Sequence, residues 1–83
     1  MNAFIHIGFG NVINTDKIVS IVSPDAAPIK RLVQQAKDGG CCIDATQGRK
    51  TKAVIIMENG MVVLSALLSD TIVMRVKTGS IEE

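Results

Sequence analysis

Residues 52–67 read KAVIIMENGMVVLSAL, and their reading decides the fold. Two runs of Val, Ile, Met and Leu flank Asn59-Gly60, a dipeptide whose residues both tolerate the positive φ that a type I′ hairpin turn demands. The stretch predicts an antiparallel pair, strands over 52–57 and 61–67 joined at Glu58-Asn59-Gly60. Working outward, residues 41–45 form a short strand candidate before a turn at Gly48. Ser69-Asp70 can cap a last short helix running to Lys77, with Ile72, Val73 and Val76 on its buried side. Upstream, Ser23-Pro24-Asp25 has the order of a helix start: cap, proline at the first helical position, anion in the first turn. A helix over 25–37 follows, because Ile29, Leu32, Val33 and Ala36 recur at the spacing of one face. Pro28 falls in its first turn, where a missing N–H costs little. Asp38-Gly39-Gly40 ends it, with glycine available for the left-handed position. Nearer the N-terminus, β-rich residues 3–7 and 17–22 suggest a strand pair, with Gly8-Phe9-Gly10-Asn11 a turn or bulge. Strands, helix, strands, helix make the class α+β with a mainly antiparallel sheet.

Eighty-three residues suffice for a single domain, 1–83, and too few for two. A chain this short buries only about 60–65% of the surface its unfolded form exposes, so added burial against partner subunits would help it. Composition agrees: 47% of residues are hydrophobic, yet Trp and Tyr are absent and Phe occurs only at Phe4 and Phe9. The two cysteines, Cys41 and Cys42, are neighbours and make no ordinary structural bridge, which favours a reducing cytosol. No run approaches the ~20 apolar residues that span a bilayer, and residues 1–10 lack a basic segment before a long apolar run. A soluble, cytoplasmic protein is expected.

Gly8-Phe9-Gly10 lacks the third glycine of a dinucleotide-binding fingerprint, since position 13 is Ile13, and no helix opens after it. His6, Cys41, Cys42 and Asp44 are the residues from which a thiol or metal site could be assembled. Vicinal cysteines match zinc spacing poorly, and a helix C-terminus before Cys41 works against a thiolate. Neither an enzyme nor a metal or other cofactor is expected. Lys30, Arg31 and Lys37 suit a solvated helix face, the alternative being a phosphate-facing patch, and Arg75 and Lys77 suit a final helical turn.

The charge that stands out is Arg49-Lys50-Thr51-Lys52, three cations in four positions of a chain whose formal net charge is +1. Two readings fit. Basic residues on an exposed turn discourage edge-to-edge aggregation. Alternatively Gly48 lets the backbone approach a nucleic-acid strand while Arg49 offers a planar fork and Lys50 and Lys52 add charge. Strand alternation would send Arg49 to the opposite face from Lys50 and Lys52, so this second reading needs a turn there.

IGFGN at 7–11, SIVSP at 20–24, APIKR at 27–31, IDAT at 43–46, GRKTKAV at 48–54 and VLSA at 63–66 together resemble the RemA family, small bacterial regulators of extracellular-matrix and biofilm genes. The likeness spans about residues 4–75. It implies a DNA-binding transcriptional regulator without catalytic activity, a ring-shaped homo-oligomer that presents basic residues to duplex DNA around its rim, associated with the nucleoid. It implies three DNA-contacting positions, held here by Lys17, Arg49 and Lys50, with Lys52 where the family often has a further arginine. Only Arg49 keeps the arginine; lysine at 17 and 50 retains charge without the bidentate fork. The acidic end KTGSIEE departs from the family pattern. No small-molecule substrate is implied. The lack of Trp and Tyr speaks against stacking on single strands and for duplex read through phosphates and shape. The competing expectation from another class is an oligomeric structural or protein-interaction module that binds no DNA.

Overall fold

The computed structural model of the protein describes residues 4–78, so Ala3, expected to open the first strand, and the acidic residues 79–83 lie outside the described residues. Six strands and two α-helices follow in order: β1 (Phe4–Gly8), β2 (Asn11–Asn14), β3 (Ile18–Val22), α1 (Ala27–Asp38), β4 (Cys42–Asp44), β5 (Ala53–Met57), β6 (Val62–Ser65) and α2 (Ser69–Thr78). The class is α+β, as expected. The strands form a four-stranded sheet in the order β3-β5-β6-β4 and a separate β1-β2 hairpin. All neighbours in them are antiparallel except β4 and β6, which run parallel.

Side-chain alternation builds two cores, one on each face of the larger sheet. Val54 of β5 and Val62 and Leu64 of β6 point to α1, meeting Ala36, Ile29 and Val33. Ala53, Ile55 and Val63 point the other way and meet Ile5 and Ile7 of β1 and Ile72 of α2. The β1-β2 hairpin and α2 thus form a third layer. Ile5, Ile7, Ile55 and Ile72 are fully buried, each worth about 1.5–3 kcal/mol relative to exposure. In β3 a register shift between Ile18 and Ser20 lets Ile18 and Ile21 both reach the second core, although their spacing is three.

Three expectations about strand pairing and the helices need correcting. The N-terminal strand does not pair with residues 17–22: it pairs with Asn11–Asn14, and β3 pairs with β5. Phe9 (φ 54°) and Gly10 (φ 79°) both take the positive φ of a type I′ turn, so the chain reverses there. α1 starts at Ala27, capped by the Ala26 backbone, not at Ser23-Pro24. The Ser23 hydroxyl instead accepts a local bond from the Asp25 N–H (3.3 Å), which competes with a cap. On α2, Val73 faces outward while Ile72 and Val76 pack inward. The C-terminus of α1 behaves as read: Gly40 takes φ +74°, and Cys41 N–H to Ala36 O (2.8 Å) with Gly40 N–H to Lys37 O (3.3 Å) makes a Schellman motif.

Candidate functional site

The sheet order places the basic stretch. β6 lies between β4 and β5, so residues 45–52 must cross the end of β6 and span two inter-strand spacings, about 10 Å. The Ala45 N–H donates to Leu64 O (2.9 Å) on one side of β6 and the Lys52 N–H to Ser65 O (2.9 Å) on the other. Over that end the chain reverses at Gln47 (φ 55°) and Gly48 (φ 78°), closed by Arg49 N–H to Thr46 O at 3.0 Å. β5 begins only at Ala53, so strand alternation does not separate Arg49, Lys50 and Lys52. The turn that their joint action requires is present, and all three side chains are exposed. Among the described residues none of the three has a carboxylate partner.

Asp44 and Thr46 hold the near end of this loop. The Asp44 carboxylate accepts from the Thr46 hydroxyl (2.5 Å) and N–H (2.9 Å), and Thr46 is buried. The hydroxyl bond first and the backbone bond second hold the Asp44 carboxyl below its ordinary range, helped by the charge of Lys37 and opposed by desolvation. Asp44, weighed in the sequence only as part of a thiol or metal site, is a loop anchor. The far side of the site is the Phe9 turn: the Arg49 guanidinium lies over the Phe9 ring, 5.7 Å from its centroid. Ser65 joins the two, because its buried hydroxyl donates to Ile7 O (2.7 Å) next to that turn while its carbonyl receives Lys52.

Lys17 is elsewhere. It ends a 3₁₀ turn, Thr15–Lys17, beside the β5-β6 turn, where its carbonyl accepts from Glu58 N–H (2.7 Å) and its ammonium meets the Glu58 carboxylate at 3.7 Å. From residue 52 to residue 57 the chain advances about 17 Å. Lys17 and the basic loop therefore sit at opposite ends of β5 and share no patch within one chain. Lys30 and Lys37 do approach the loop, lining with Thr51, Gln34 and Val33 a shallow groove of about 220 Å³ between α1 and β5. Their i, i+7 spacing signals one helix face, but nothing in the spacing says which neighbour that face meets.

The residues weighed for thiol or metal chemistry are not assembled. Cys42 packs under α1 and His6 belongs to β1 in the third layer, with the sheet between. Burial pushes the Cys42 thiol up, more than Lys37 offsets. Among the described residues no three His, Cys, Asp or Glu side chains group as metal ligands. Arg75 has a structural role: it donates to His6 O at 2.8 Å and pins α2 to β1.

The sequence profile of the RemA-like family, described as extracellular matrix regulatory protein A-like, matches residues 4–76. A protein of Lachnoclostridium phytofermentans named "Putative regulatory protein" is 63% identical over 76 residues, covering 92% of this chain and 84% of its own. Proteins of the same name from Carboxydothermus hydrogenoformans and Microcystis aeruginosa are 51% identical over 80 residues and 52% over 71, covering 96% and 86% of this chain and 92% and 80% of theirs. Among the described residues no helix is long and apolar enough to cross a membrane. These names point to regulation rather than catalysis, and with a match over nearly its whole length the chain belongs to the RemA-like family.

Proposed function

We propose that this chain is a DNA-binding transcriptional regulator, acting in the cytoplasm at the nucleoid on genes of the extracellular-matrix and biofilm type. It works as a ring-shaped homo-oligomer whose rim repeats a small basic patch along duplex DNA. The observation that carries this reading is the loop over β6: Arg49, Lys50 and Lys52 stand exposed on a turn fixed at both ends, without acidic partners among the described residues. Cations on a fixed turn attract phosphate without first losing much freedom. One chain with a net charge of +1 offers too little, but a closed ring multiplies the patch. Lys17 joins the same track only if another copy brings it near a neighbour's loop, since within one chain they are at opposite ends of β5. Exposed Phe4, Val12, Val19 and Ile43, on strands of both sheets, supply apolar surface for such neighbours.

The test is binding of a labelled promoter-length duplex to wild type and to the Arg49→Ala/Lys50→Ala variant across a salt series, with particle mass measured in the same samples. The expected result is a large wild-type assembly with a steep salt slope, and an intact variant assembly that binds different duplexes uniformly less well. Each lost phosphate contact should lower the slope by about 1. Retained affinity in the variant removes these residues from the interface. Assembly without any DNA binding would favour the protein-interaction module instead.

A further inference from the structure

We propose that Phe9 is a positioning residue for Arg49, holding its guanidinium ready for a phosphate oxygen of the nucleic-acid backbone; this rests on the DNA-binding reading above. Phe9 takes φ +54° between Gly8 at +105° and Gly10 at +79°. That left-handed region is unfavourable for a bulky side chain, and glycine or asparagine would suit it better. The ring does not gain burial in exchange, since Phe9 is 48% exposed. What it gains is Arg49, whose guanidinium carbon lies 5.7 Å from the ring centroid, inside the ~6 Å reach of a cation–π contact.

Both partners are fixed from behind. The Asn11 amide donates to Gly8 O (3.0 Å) and leans on Phe9 O (3.5 Å), bracing the first turn. Arg49 N–H to Thr46 O closes the second. Ser65 ties the two turns together through Ile7 O and Lys52 N–H. A guanidinium held over a ring face by cation–π attraction still has several N–H groups for other partners, so this contact and bidentate phosphate binding are compatible; an ammonium gains no such fork. Arginine's rotamer freedom is then reduced before the ligand arrives.

The experiment compares Phe9→Asn, Phe9→Leu, Phe9→Tyr and Arg49→Ala with wild type for binding of a labelled duplex, thermal melting, particle mass and the NMR shift of the Arg49 side-chain N–H. Phe9→Asn removes the ring and relieves the backbone, so it should melt higher yet bind about threefold more weakly per engaged contact. Phe9→Leu keeps apolar bulk, and should lose both affinity and the ring-current shift at Arg49. Phe9→Tyr should keep both. Combining Phe9→Asn with Arg49→Ala should weaken binding no further than Arg49→Ala alone. If Arg49→Ala loses binding while the ring-less variants that assemble normally do not, Phe9 has no positioning role and the DNA-binding reading stands. If Arg49→Ala itself binds like wild type, that reading falls and this inference with it.

Discussion

Single side chains decide how the two turns of the candidate site are held. Ser65 is fully buried, its hydroxyl donating to Ile7 O (2.7 Å) and accepting from Leu67 N–H at 3.1 Å. Ser65→Ala leaves the buried Ile7 carbonyl without its donor and the part-buried Leu67 N–H without its acceptor, so about 1–3 kcal/mol of stability should be lost. For a chain of this size that lowers the melting temperature by several degrees, readable by circular dichroism at fixed protein concentration. Asp44 gives a pH dependence. Its folded pKa lies below the unfolded value, so its contribution is fully present above about pH 4, the ordinary carboxylate value, and fades as pH falls through the lowered folded value. Asp44 is exposed, so the effect is small. Asp44→Asn should flatten the acid limb of a plot of melting temperature against pH and leave the neutral region nearly level.

At the scale of elements, three dipeptides ending in glycine make the turns, and they divide against expectation. Phe9-Gly10 and Gln47-Gly48 carry positive φ at both residues. Asn59-Gly60, the pair best suited to a type I′ turn, does not, since only Gly60 is positive, at φ +88°. Gly60 N–H to Met57 O (3.0 Å) and Met57 N–H to Met61 O (2.9 Å) close a three-residue loop, a type I turn ending in a left-handed glycine. Asn59 turns its side chain to use, accepting from Met61 N–H at 3.1 Å. Gly60 has open space where a Cβ would project, so Gly60→Ala meets backbone strain alone. It should cost about 1–2 kcal/mol, while Gly60→Asn should recover part of that in the same denaturant titration.

The whole molecule leaves apolar surface that its own layers do not cover. Val19 on edge strand β3 is 66% exposed, and Ile43 on the opposite edge, β4, is 48% exposed. Ile43 also lines an open groove of about 620 Å³ with Ile13, Met57, Met61 and Val63. Such edges invite pairing or packing with further copies. On the self-association proposed above, Ile43→Glu should keep the secondary structure, because the side chain is half-exposed, and reduce the particle mass measured by light scattering. An unchanged mass places the contact elsewhere. On that proposal, assembly is what unites Lys17 with the basic loop, because one chain alone does not bring the four cations together.

Features carried by a few neighbouring residues were legible in the sequence. The apolar face of α1, its glycine ending, the β5-β6 hairpin and the turn that frees Arg49, Lys50 and Lys52 from strand alternation all follow from periodicity and backbone preference over short spans. So did the family, through motifs spread along most of the chain. Pairing between distant segments was not legible. That β1 turns back on Asn11–Asn14, that β6 enters between β4 and β5, and that Lys17 meets Glu58 depend on which faces must be buried together. Phe9 beneath Arg49 is forty residues from its partner, and the Ile7 carbonyl that Ser65 holds lies farther still along the chain. Spacing along a chain sets which side of an element a residue occupies, but only the packing of layers decides what stands opposite it.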